Sequence, residues 1–205
     1  MKRLAPRHLA QVDPVMSRIV QKIGPFRFQH EPLIPPFRAL VRAVAHQQLN
    51  GTAANTILKR FIALFPGKSF PTPEDLDSVS DDQIRAAGFS RAKVLAIRDI
   101  GAKTIDGIVP SSRRIVNMPD EEIIERLTAV RGVGRWTVEM LLIFKLGRPD
   151  VLPAADFGVR NGFRAAYGLK ELPSVKALLA HGEIWKPYRT AAAWYLWRVA
   201  DAGGI

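Results

Sequence analysis

The sequence has no cysteine among its 205 residues. Disulfides, thiolate zinc sites, iron–sulfur clusters and a cysteine nucleophile are therefore excluded. Long apolar runs are missing too. The longest candidates, "MLLIF" and "AAAWYLW", fall far short of the roughly 18–20 residues that span a bilayer. The opening stretch "MKRLAPRHLAQVDP" is basic, but it meets an acid and a proline before any apolar segment. It does not read as a secretory signal, and the expected compartment is the cytoplasm. Alternating strand patterns, fixed-period repeats and low-complexity tracts are not found. Acids are scarce: 19 Asp and Glu stand against 30 Lys and Arg, giving a net charge of +11. Such an imbalance bears on partners rather than on fold. It points first to nucleic acid, because an anionic membrane surface would need a strongly basic amphipathic helix, and none is present.

What remains reads as helix after helix, an all-α chain. "DPVMSRIVQKIG" carries Asp13 as N-cap, Pro14 at the first helical position and Gly24 as terminator. "FRALVRAVAHQQL" sets Phe37, Leu40, Val41 and Val44 at helical spacing, with Gln48 continuing the stripe. "TAANTILKRFIALFPG" closes at Pro66-Gly67, "SDDQIRAAG" reads as a short acidic turn, and "SRAKVLAIRDIGAKTIDG" is a helix capped by Ser90. "PDEEIIERLTAV" begins with Pro119 and three acids, which suit the positive end of a helix dipole. The Pro/Ser-rich breaks at 66–73 and 110–112 read as loops inside one body.

"LTAVRGVGRWTVEMLLIF" joins two apolar helices through Arg131-Gly132-Val133-Gly134-Arg135. A helix N-terminus offers unpaired N–H groups and a partial positive charge. Glycines there admit another backbone, so those groups can grip a phosphate, while Val133 tucks back and holds the turn. A tight helix–helix connection that merely needs glycine fits the same residues. Asp156 likewise has an ordinary reading, as the N-cap of "FGVRNGFRAAYG".

The hairpin followed by "GRPDVLPAADFGVRNGF" resembles the helix-hairpin-helix/GPD superfamily of DNA glycosylases, whose Gly/Pro-rich loop ends in a catalytic aspartate. "AVAHQQLNGTAA", "GFSRAKVLAIRDIG", "DVLPAADFGVR" and "PYRTAAAWYLWR" resemble its alkylation-repair branch, 3-methyladenine DNA glycosylase II, in the same order from about residue 37 to 198. The resemblance implies a helix-hairpin-helix glycosylase fold of two helical subdomains with a cleft between them. One would be a middle bundle over 33–155 with the hairpin at about 119–147; the other would combine 1–32 with 156–205. Helices begin almost at once, so the β-rich N-terminal domain of some larger members is not expected.

By resemblance, Asp156 is the catalytic carboxylate and Trp136, Trp197, Met140 and Gln48 bind the base. Leu49 is the apolar wedge filling the space of a flipped base. Gly132, Gly134, Thr137, Arg131, Arg135, Arg91 and Lys93 are the expected DNA contacts, whereas His46 and Trp194 are expected to be structural. Glycoside hydrolases usually need two carboxyl groups. A purine alkylated at N3 or N7 is already cationic and leaves without an acid, so one carboxylate facing the sugar suffices. Family members often carry a second acid before this Asp; here it is Ala155. Trp136 stands where glycosylases with lyase activity carry a nucleophilic lysine. The expectation is a monofunctional enzyme releasing alkylated bases from duplex DNA as a monomer. A non-catalytic DNA-binding hairpin protein and a glycosylase/lyase are the alternatives. No cofactor is expected, although hairpin carbonyls in this family can hold a monovalent cation.

Overall fold

A computed structural model describes residues 3–203, and every regular element among them is helical. The helices are α1 (Leu4–Val12), α2 (Pro14–Ile23), α3 (Pro36–His46), α4 (Gly51–Ala63), α5 (Asp81–Ala86), α6 (Arg91–Ile105), α7 (Ser112–Ile115), α8 (Asp120–Thr128), α9 (Arg135–Phe144), α10 (Phe157–Ala166), α11 (Val175–His181) and α12 (Arg189–Asp201). Short 3-10 turns cover Glu74–Ser78 and Gly182–Trp185. The class is the one the pattern implies. No helix among the described residues is long and apolar enough to cross a membrane.

Side-chain caps set many of the starts. Asp13 accepts from the N–H groups of Val15 and Met16, Pro14 opens α2, and Gly24 ends it at φ +85°. Asn50, Ser90 and Ser174 cap α4, α6 and α11 in the same manner. One segment departs from expectation, and one has no element assigned to it by the sequence pattern. "SDDQIRAAG" forms helix α5 rather than a turn, because Ser80 and Gln83 satisfy each other in a capping box. The basic N-terminal stretch forms α1; its Pro6 falls in the first turn, where no N–H partner is needed.

The residues group into two compact units: the chain up to Glu31 with Glu139 onward, and Pro32–Val138. The second boundary therefore falls inside α9, not at the expected 155/156. The reason lies in the far end of that helix. The Phe144 and Phe28 rings meet at 5.6 Å between centroids, and the Phe144 carbonyl accepts the Glu31 N–H at 2.8 Å.

Within Pro32–Val138, α3 packs on α4 and α6. The Phe37, Leu40, Val41 and Val44 stripe is buried, as are Phe61 on α4 and Ile97 and Ile100 on α6. Each such side chain contributes roughly 1.5–3 kcal/mol on leaving water. Gln48 does not extend that stripe: α3 ends at His46, and Gln48 is exposed at φ +57°.

In the other unit α10 packs on α12. A Cβ on Gly162 would lie 2.0 Å from the Leu196 carbonyl oxygen, so only glycine permits the approach. Buried Asp13 ties α2 to the C-terminal elements: its Oδ2 accepts from the Tyr167 hydroxyl and, at 2.9 Å, from Trp185 Nε1, with His181 Nε2 at 3.1 Å. Burial pushes the Asp13 carboxyl up, but the hydrogen bonds from Tyr167, Trp185 and His181 outweigh it and hold the group below the ordinary range. Burial, with Asp13 alongside, drives the Tyr167 hydroxyl far above the usual phenol value.

Candidate active site

Asp156 stands at the corner that leads into α10. Its N–H donates to the Pro153 carbonyl at 2.9 Å, and its extended backbone lets Oδ1 cap α10 through the Val159 N–H, also at 2.9 Å. The same oxygen accepts from Trp197 Nε1 at 2.8 Å. Asp156 and Trp197 are both half-buried. Gly158 makes room for the indole, since a Cβ there would sit 2.9 Å from Trp197 Cδ1. Residues 190–196 and Val199 are buried, so most of the circumference of α12 is enclosed rather than one stripe, and Trp197 lies toward its half-buried end. Trp194 is buried, as expected of a packing residue. Ala155 is exposed and brings no second carboxylate.

Two aromatic residues here escape sequence reasoning. Phe144 stacks on Trp197 at 5.7 Å between centroids and 27° between planes. Both rings line an open depression of about 500 Å³ together with Arg27, Phe28, Trp194 and Arg198. Phe157, directly after Asp156, is 68% exposed. Phe144 ends the run "MLLIF", where it looks like any core residue. An aromatic side chain at the first position of a helix carries no sign of its exposure.

The hairpin is α8, a turn, and α9. Gly132 has φ +75°, and a Cβ would lie 3.1 Å from Ala96 Cβ. Gly134 differs: its φ is not positive and a Cβ would meet nothing within 4 Å, so it borders open space. Val130 and Val133 are buried and anchor the turn. The Arg131 N–H donates to Asp99 Oδ2 at 2.7 Å, while its side chain faces outward. Arg135 pairs with Glu121 at 2.9 Å on the surface, an interaction worth about 1 kcal/mol at most. Thr137 is only 8% exposed, so little of it is offered to a ligand. Trp136, 46% exposed, opens α9, and half-buried Met140 lies one turn on along the same helix.

The third group is the loop after α3. Leu49 is 40% exposed, and Gln48 beside it is the one non-glycine residue with positive φ among those described. Lys93, expected at phosphates, is placed differently: its Nζ donates to the carbonyls of Ala45 at 3.1 Å and Gln47 at 2.8 Å. An ammonium at the first turn of α6 thus closes the carbonyl end of α3, and burial lowers its pKa. Gln47 Nε2 donates to the Gly132 carbonyl at 2.9 Å, joining this loop to the hairpin turn. His46 Nδ1 is 2.8 Å from the Arg42 carbonyl, as suits a structural histidine. Arg91 is exposed and borders a surface depression with Asp81, Asp82 and Arg85. No group of three or more His, Asp or Glu among the described residues could hold a metal ion.

Comparison with known proteins gives concordant matches. The model of the HhH-GPD superfamily base excision DNA repair proteins matches residues 41–187. DNA-3-methyladenine glycosylase 1 of Schizosaccharomyces pombe is 43% identical, over 94% of this chain and 85% of its own. The solved structure of a 3-methyladenine DNA glycosylase from that organism, in complex with abasic DNA, superposes with a TM-score of 0.83, covering 96% of each chain at 43% identity. A DNA-3-methyladenine glycosidase structure from Bacillus halodurans gives 0.86 at 34% identity, over 96% of this chain and 89% of that one.

Proposed function

The chain belongs to the HhH-GPD superfamily of base excision DNA repair proteins, and from that premise we propose that it is a monofunctional DNA glycosylase hydrolysing the N-glycosidic bond of alkylated bases in duplex DNA. Its substrates are purines carrying a positive charge, such as 3-methyladenine and 7-methylguanine. The bond between C1′ and the base breaks with its electron pair going to the base, which departs neutral. The sugar is left as an oxocarbenium ion. Asp156 faces that developing charge, stabilises it, and orients the water that adds at C1′ and gives up a proton. The products are a free base and an abasic site.

The observation that best supports this role is the hydrogen bond from Trp197 to Asp156. A carboxylate that only capped a helix would need no indole donor. Trp136 and Trp197 are assigned to the cationic base, which an aromatic face attracts by roughly 0.5–2 kcal/mol. Met140 and Gln48 complete the assigned base contacts, and Leu49 is the wedge. The N–H groups at Gly132 and Gly134 and the side chains of Arg131, Arg135 and Arg91 are assigned to phosphates. Lys93 leaves that set because two of its three donors already serve the end of α3, and Thr137 because it is buried. Trp136 carries no amine, so no imine with the sugar forms.

We assign no cofactor. A monovalent cation fits poorly at Ala129 and Gly132, whose carbonyls already accept from Lys103 and Gln47; any such ion would rest on the remaining turn carbonyls and aid phosphate binding alone. The chain is taken to act as a monomer. Incubation with methylated duplex DNA, followed by chromatography of the small molecules released, tests the function. Free methylated purines are expected; their absence, with binding to the same DNA retained, would leave a non-catalytic hairpin protein.

A further inference from the structure

The loop Gln47-Gln48-Leu49, though exposed, is tied by side chains to both α6 and the hairpin turn. Helix ends leave carbonyls without intrahelical partners. Here two of them, on Ala45 and Gln47, meet one ammonium, Lys93 Nζ, at 3.1 and 2.8 Å. The next residue, Gln48, sits in the left-handed region at φ +57°. A side chain there costs about 1 kcal/mol or more and persists only where neighbours over-determine it. Gln47 then reaches across to the Gly132 carbonyl at 2.9 Å, where Gly132 itself requires positive φ. Leu49, 40% exposed, is the next apolar side chain after this clamp.

We propose that Lys93 and Gln47 are positioning residues for base extrusion: they hold the loop so that Leu49 stands ready to enter the duplex, and they link it to the phosphate-gripping hairpin. The inference rests on the reading of Leu49 as wedge. A wedge acts by offsetting the unstacking of the extruded base. A loop that must first order itself spends part of that gain, whereas one already fixed delivers it when the hairpin seats on the backbone. Charge-assisted hydrogen bonds are the stronger kind, which suits Lys93 to the task.

The test uses single-turnover excision of one alkylated purine in two settings, a fully paired duplex and an unpaired single-nucleotide bulge, where extrusion costs little. Lys93→Met keeps the apolar stem and removes the donors; Gln47→Leu removes the link to Gly132 and serves where the first variant folds poorly. On paired duplex each is expected to slow excision about tenfold, and on the bulge about twofold or less. Lys93→Arg restores most of the rate. In a Leu49→Ala background, Lys93→Met adds almost nothing. Equal losses on both substrates for Lys93→Met and Gln47→Leu, with Leu49→Ala still selective for paired DNA, would overturn the positioning role and spare the wedge. Equal loss for Leu49→Ala itself would overturn the wedge reading beneath it.

Discussion

Trp197 Nε1 donates to the same oxygen of Asp156, Oδ1, that caps the Val159 N–H at the start of α10. One carboxylate oxygen thus takes a donor from α12 and another from its own helix, which fixes the rotamer of the group assigned to the sugar. Trp197→Phe keeps an aromatic face and deletes the N–H. Single-turnover base release should fall about tenfold, a hydrogen bond to a charged group being worth roughly 1.5–3 kcal/mol, while DNA affinity changes little. An unchanged rate would mean that the indole serves by stacking alone.

The glycines separate by what surrounds them. Gly162→Ala drives a methyl into the Leu196 carbonyl and should destabilise the protein by about 2–3 kcal/mol or more. Gly134→Ala meets nothing within 4 Å and should leave stability within roughly 0.5 kcal/mol. It nonetheless places a methyl where a phosphate is expected, so DNA affinity should fall severalfold. Denaturant unfolding and a binding titration read the two effects apart.

The Asp13 carboxyl titrates below its ordinary value in the folded chain. A depressed acid pKa contributes stability at pH above the unfolded value, and that contribution is lost as pH falls through the folded value. Asp13→Asn should therefore cost about 2–4 kcal/mol at neutral pH, as loss of a buried charged hydrogen-bond acceptor does. The gap between wild type and variant should close in acid. Thermal unfolding from neutral to strongly acidic pH measures it; a gap that does not vary with pH would contradict the assignment.

Much of this was legible in the chain. Asp13-Pro14 and Gly24 mark the two ends of α2, and the two glycines announce a hairpin turn whose buried Val133 plays the expected part. The Asp156 N-cap follows from its place before "FGVRNGF". What the sequence hides are contacts between distant residues. Lys93 near a helix start looks like a phosphate ligand until the carbonyls of Ala45 and Gln47 are seen to occupy it. Gln48 fits a helical spacing until the backbone turns to φ +57°. Phe144 looks like core, and only the fold sets it on Trp197.

Absence of an amine at residue 136 has a chemical consequence. Incubation with alkylated duplex and borohydride should trap no covalent protein–DNA adduct, and released base should accumulate without strand breaks until alkali is added. Trp136→Lys tests whether position alone confers imine chemistry. A trapped adduct with the unaltered chain would contradict the monofunctional assignment.

The most direct measurement is single-turnover release of 7-methylguanine from methylated duplex DNA by Asp156→Asn, with DNA affinity measured in parallel. The amide keeps a cap for α10 and an acceptor for Trp197 but carries no charge toward the sugar. Base release should drop by a factor of about a hundred or more with affinity nearly intact. Release at the unaltered rate would show that the carboxylate is no more than a helix cap, and the assigned chemistry would fail with it.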